Sequence, residues 1–138
     1  MLFGWQCPVH FISAYAGSFY WSEDGSSWRI VDEFSDHKLT AMAYANGVLI
    51  AADEAGQTWH STDGTSWKEG GTVSDPKAAA ANEGSTFVIV GSGIWHSTDG
   101  ESWMPVTDVL LPGTIWDVSY GNGVFIAAAG GGEGSATI

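Results

Sequence analysis

At 138 residues and 44% hydrophobic, the chain is long enough for one domain with a core of its own. Its formal charge of −12 sets only Arg29, Lys38, Lys68 and Lys77 against sixteen acidic side chains, so the summed field repels polyanions and argues against a nucleic-acid partner. Nineteen glycines, 13% aromatic residues and no long apolar helical period exclude a helical bundle and point to an all-β chain, in which the acidic excess serves solubility.

Four similar units follow one another, treated as a single module. In the first, about 1–37, Leu2-Phe3-Gly4-Trp5 is expected as the inner strand and Val9-His10-Phe11-Ile12 as the second. Phe19-Tyr20-Trp21 is the third and Trp28-Arg29-Ile30-Val31 the outer one. The second unit, about 38–74, is the clearest. Leu39–Tyr44 alternates in strand fashion, Asn46-Gly47 makes a hairpin turn, and Val48–Ala52 is a buried strand. A turn near Glu54–Gly56 leads to Thr58–Ser61 and then to Trp67-Lys68-Glu69. Such a four-stranded meander of about 37 residues has the size of one propeller blade. The third unit, about 75–111, supplies Ala78–Ala81, Phe87–Val90, Ile94-Trp95-His96 and Trp103–Val106, with Pro105 expected at an edge. The fourth, about 112–138, has Ile115–Tyr120, a Gly121-Asn122-Gly123 turn and Val124–Ala128, and a possible third strand over Ser135–Ile138. The expectation is thus about three and two-thirds four-stranded antiparallel blades.

One phrase recurs in three of the units: Ser22-Glu23-Asp24-Gly25-Ser26-Ser27-Trp28, Ser61-Thr62-Asp63-Gly64-Thr65-Ser66-Trp67 and Ser97-Thr98-Asp99-Gly100-Glu101-Ser102-Trp103. The serines lie 39 and then 36 residues apart, a period that marks one supersecondary unit per repeat. Asp-Gly is a strong hairpin signal, because Gly accepts positive φ and the carboxylate can bond N–H groups that the turn leaves unpaired. The serine adds a second local bond, and the tryptophan returns to cover the hairpin.

Ser-x-Asp-Gly-x-Ser-Trp resembles the Asp-box, or BNR, repeat of β-propellers, found in sialidases, sortilin-type receptors, a photosystem assembly factor and many phage and bacterial surface proteins. The usual pattern has one more residue between Asp and Gly; the shorter form here is similar to one common in phage and bacterial proteins. The resemblance implies that Ser22, Asp24, Gly25, Trp28 and their counterparts Ser61, Asp63, Gly64, Trp67, Ser97, Asp99, Gly100 and Trp103 are structural turn residues away from any active site. It also implies a virion or cell-surface setting.

Catalytic chemistry finds little support in the residues. Sialidases, which the resemblance brings in, hold the substrate carboxylate with three arginines, whereas Arg29 is the only arginine here. Asp32-Glu33 and Asp53-Glu54 are vicinal pairs, whose members face opposite ways on a strand. His60 and His96 share one repeat position, held by Trp21 in the first unit; without a third ligand they are expected as solvent-facing strand residues, and no metal or other cofactor is expected. Trp59 and Trp95, with Tyr20 in the first copy, recur on the third strand as core residues. Trp21 beside Tyr20 or Tyr15 is the candidate for stacking on a sugar.

The reading is therefore a non-catalytic structural or ligand-binding propeller module, with a protein or a glycan as partner. The alternative is a fragment or subunit of a sialidase-like glycoside hydrolase. No basic leader precedes an apolar run at the N-terminus, so no signal peptide is read. No segment approaches the eighteen apolar residues of a spanning helix, so no membrane partner is expected, and Cys7 alone forms no intrachain disulfide. Self-association, or further blades from a longer chain, is expected to cover two open faces. One carries Phe3, Trp5 and Phe11; the other carries Trp116, Val118, Tyr120 and Phe125.

Overall fold

A computed structural model describes residues 11–15, 18–22, 24–31, 36–64, 66–111 and 113–130. The strands expected over Leu2–Trp5 and Ser135–Ile138 lie outside the described residues, as do the side chains of Phe3, Trp5 and Phe11. Thirteen strands and no helix are found among the described residues.

They form four antiparallel sheets. The first joins β1 (Phe11–Tyr15), β2 (Ser18–Ser22) and β3 (Arg29–Val31) in chain order. The second runs β4 (Leu39–Ala45), β5 (Val48–Asp53), β6 (Gln57–Ser61) and β7 (Lys68–Thr72). The third repeats that order with β8 (Ala78–Ala81), β9 (Phe87–Val90), β10 (Ile94–Ser97) and β11 (Met104–Pro105). The fourth pairs β12 (Ile115–Gly121) with β13 (Val124–Ala129). Each repeated tryptophan sits just before an outer strand, and Pro105 falls on the exposed edge strand, where its missing N–H costs no ladder bond.

The two Asn-Gly dipeptides are left-handed at both positions, with φ of 49° and 83° at Asn46-Gly47 and 52° and 81° at Asn122-Gly123. That is the turn whose twist matches a right-handed hairpin. Both hairpins also carry a register shift at the same place, between Leu39 and Ala41 and between Ile115 and Asp117.

The sheets pack face to face through alternating side chains. Phe87 and Ile89 of β9 point into a core with Ala41, Ala43, Ile50 and Ala52 of the second sheet. The intervening Val88 and Val90 point the other way, into a core with Ile115 and Val118 of the fourth. A strand buried on both faces reads as a continuous apolar run, which β9 does. The first strands β4, β8 and β12 lie next to one another, and the alanines of β4 and β8 let these backbones approach closely.

The expected open face of the fourth unit is corrected by this packing. Val118 is buried at 6% exposure against the third sheet, and Tyr120 and Phe125 are half-buried, their rings 4.8 Å apart. Only Trp116 of that group is exposed. The outward residues are Val124 and Ile126, because Phe125 and Ala127 between them are turned toward the third sheet.

Candidate functional site

The three boxes fold alike. In each, the serine hydroxyl accepts the backbone N–H of the Asp (3.2, 3.2 and 3.3 Å) and of the Gly (2.7, 2.8 and 2.8 Å). The same hydroxyl donates to the Asp Oδ1, at 3.0, 3.0 and 2.9 Å. That oxygen in turn accepts N–H groups beyond the Gly: Ser26 and Ser27 on Asp24, Ser66 on Asp63, Glu101 and Ser102 on Asp99. The glycines stand at φ of 78°, 75° and 78°, where a Cβ is strained. The N–H groups of Ser27 and Ser26, helped by the Ser22 hydroxyl, bring the Asp24 carboxyl from 3.8 to about 2. Those of Ser102 and Glu101 lower Asp99 in the same way.

The tryptophans differ more than the turns do. Trp28 and Trp67 donate their indole N–H to the carbonyls of Gly25 and Gly64 at 3.2 and 3.3 Å. Trp103 instead packs on the core between the second and third sheets, where its Nε1 has no hydrogen-bond partner among the described residues.

The third box is also docked on the sheet before it. The Glu101 carbonyl accepts the N–H of Gly71, on the outer strand β7, at 2.8 Å. A Cβ at Gly70 would lie 3.0 Å from that carbonyl oxygen and 2.8 Å from Thr58 Oγ1, so the approach depends on β7 being bare there. The box thus couples neighbouring sheets as well as latching its own hairpin, a role that the phrase alone did not signal.

Of the stacking candidates, Tyr20 is half-buried, and the side chains of Tyr15 and Trp21 lie outside the described residues. The histidines depart from expectation. His60 and His96 are half-buried rather than solvent-facing, and His60 Nδ1 is buried with no partner among the described residues. For His60 the reason is that the third box lies over β6, where a Cβ on Gly100 would come within 3.5 Å of His60 Cβ. Among the described residues no three His, Cys, Asp or Glu side chains come together to hold a metal ion.

A polar corner that sequence reasoning missed lies at Asp53. Its carboxylate is buried, accepts the N–H groups of Ala55 and Gln57 at 3.0 Å each through Oδ1, and meets His37 Nδ1 at 3.0 Å through Oδ2. The His37 ring stands edge-on to Trp59, centroids 4.6 Å apart. Neighbouring Glu54 faces outward, pairing with Lys38 at 3.4 Å. The only signal was an aspartate at the end of a buried strand, followed by a turn.

No protein-family profile and no curated protein matches the chain. Solved structures do. One is described as YCF48 bound to D1 peptide, with a TM-score of 0.62 at 17% identity over 84% of this chain and 43% of that one. The fold is a β-propeller. A second match, the computationally designed Ika8 protein, has a TM-score of 0.53 at 12% identity over 88% of this chain and 42% of that one. The chain spans about two fifths of the length of each of these structures.

Proposed function

We propose that the chain is a non-catalytic propeller module of Asp-box type that binds a protein partner within a phage virion or bacterial surface assembly. The observation that carries this reading is the likeness to YCF48, a propeller described in complex with a peptide. The box carboxylates support the non-catalytic part, since their Oδ1 atoms are engaged by their own turns. The enzyme alternative, a fragment or subunit of a sialidase-like glycoside hydrolase, would need arginines from elsewhere, Arg29 being the only one in the sequence. The charge of −12 favours a neutral or basic partner segment over an acidic one. Self-association in the same assembly, or further blades of a longer polypeptide, is supported instead by the exposed apolar Val124 and Ile126.

Peptide-display selection on the immobilised chain, run beside a glycan array, tests the partner class. Enrichment of extended neutral or basic peptides, without glycan signal, is the expected result. Glycan binding alone, lost on Trp21→Ala, would move the reading to a carbohydrate-binding module. The chain is expected to leave a fluorogenic sialoside intact; turnover abolished by Arg29→Ala would restore the hydrolase.

A further inference from the structure

The three boxes share their internal hydrogen bonds but not their surroundings. Gly64 and Gly100 are buried, whereas Gly25 is exposed and Trp28 keeps 44% of its surface in solvent. The third box shows what covers such a glycine. A Cβ on Gly100 would lie 2.8 Å from Ile50 Cγ2, 3.4 Å from Val48 Cγ1 and 3.5 Å from His60 Cβ, so the turn sits directly on β5 and β6 of the preceding sheet.

The surface that receives it is repeated elsewhere. Hairpin β12–β13 matches β4–β5 pair for pair: Gly121 faces Val124 as Ala45 faces Val48, and Ser119 faces Ile126 as Ala43 faces Ile50. Val124 and Ile126 therefore stand where Val48 and Ile50 stand. Yet Ile50 is 0% exposed and Ile126 65%, while Val48 is half-buried and Val124 54% exposed. The chain thus displays an uncovered box at one end and an uncovered seat for a box at the other.

We propose that a second copy of this chain seats its Ser22–Trp28 turn on Val124 and Ile126, head to tail, reproducing the contact that Gly100 makes with Val48 and Ile50. This deepens the self-association reading above and rests on it. A second copy is the occupant that the observations favour, because both halves of the contact are on one chain and an internal contact already shows that they fit. Such an interface is heterologous, so each copy uses different surfaces toward its two neighbours and the series closes into a ring or extends. Copies carrying −12 each repel one another, so added salt strengthens the contact by screening.

The test uses the full 138-residue chain and two blocked variants. Gly25→Asn keeps a residue that tolerates the left-handed turn but places a side chain where Ile126 must sit. Ile126→Glu puts a carboxylate into the apolar seat while leaving the separate chain soluble. Sedimentation velocity over a range of concentration and salt is expected to show the parent associating, and each variant losing on the order of a hundredfold in association constant. An equimolar mixture of the two variants is expected to form a 1:1 pair, since one keeps the turn and the other the seat. Tryptophan near-UV circular dichroism matching the parent confirms that both variants fold. If both variants associate as the parent does, or the mixture yields no pair, this contact is wrong and self-association stands on another surface. If the parent stays monomeric at every concentration and salt, both the contact and the self-association reading fall, and a further blade of a longer polypeptide becomes the occupant of the seat.

Discussion

Hairpins β4–β5 and β12–β13 are built on one plan, with the same left-handed Asn-Gly turn, the same pairing and the same register shift. Their environments differ. Strand β5 is buried along nearly its whole length, with Ile50 and Ala52 packed toward the third sheet, whereas β13 alternates exposed and half-buried residues because, among the described residues, one of its faces meets a neighbour and the other does not. Local pattern thus makes the hairpin, and the adjoining sheet decides what that hairpin is worth in stability. The boxes carry the same contrast: one turn plan, with Gly100 covered by its neighbour and Gly25 in solvent.

Substitutions can break or sharpen this comparison. The largest loss is expected at Trp103→Ala, about 3–5 kcal/mol by urea melts, because the ring fills the core between the second and third sheets. Trp28→Ala, at a ring 44% exposed, should lose about half of that or less. Equal losses at the two sites would mean that the box tryptophan acts within its hairpin alone. Next comes Ile50→Ala, expected to cost about 2–5 kcal/mol, while Ile126→Ala in the dissociated chain stays within about 0.5 kcal/mol. Should Ile126→Ala prove as damaging as Ile50→Ala under dissociating conditions, the face of the fourth sheet that carries Ile126 is covered as well.

Asp63→Ala is expected to cost about 1–3 kcal/mol by leaving turn donors without their acceptor, and a loss within about half a kcal/mol would defeat the structural role of the box. The smallest effect is the pH dependence. Asp24 and Asp99 are both held below the ordinary aspartate value of 3.8, so their contribution is complete above that value. It is lost as the pH falls toward the folded value, about 2 for Asp24. Melting temperature should therefore drop across that interval, and the drop should shrink in the Asp24→Asn, Asp99→Asn double variant. An identical slope in parent and variant would show that the turns do not stabilise the ionised carboxylates.

Much of this was legible from residue types at fixed offsets. Strand identity in the second and third sheets followed from alternation and from the apolar run at Phe87–Val90, and the hairpin turns followed from Asn-Gly. The boundaries moved at the outer strands, where each expected start at a box tryptophan shifted one residue onward to Arg29, Lys68 or Met104; at Trp28 and Trp67 the indole is bonded back to its own turn. The Asp53 corner was not legible, since its partner His37 is sixteen residues away and is brought in by the return of β5 beside the start of β4. The half-burial of His60 was hidden for a related reason: its place on β6 looks solvent-facing until the third box is seen lying over it.

What the sequence by itself determined is everything whose cause lies within a few residues: the Ser, Asp and Gly of each box closing their own bonds, the left-handed Asn-Gly turns, and the two-residue alternation that assigns neighbouring side chains to opposite faces. Only the tertiary structure decided which of those faces is covered. Alternation separates Val118 and Phe125 from Val124 and Ile126 but does not say which pair meets another sheet, because burial is a property of the neighbour. In the same way, Gly70 and Gly71 look like ordinary turn residues until Glu101 of the next box is found against them, an approach set by the spacing of whole sheets rather than by the local chain.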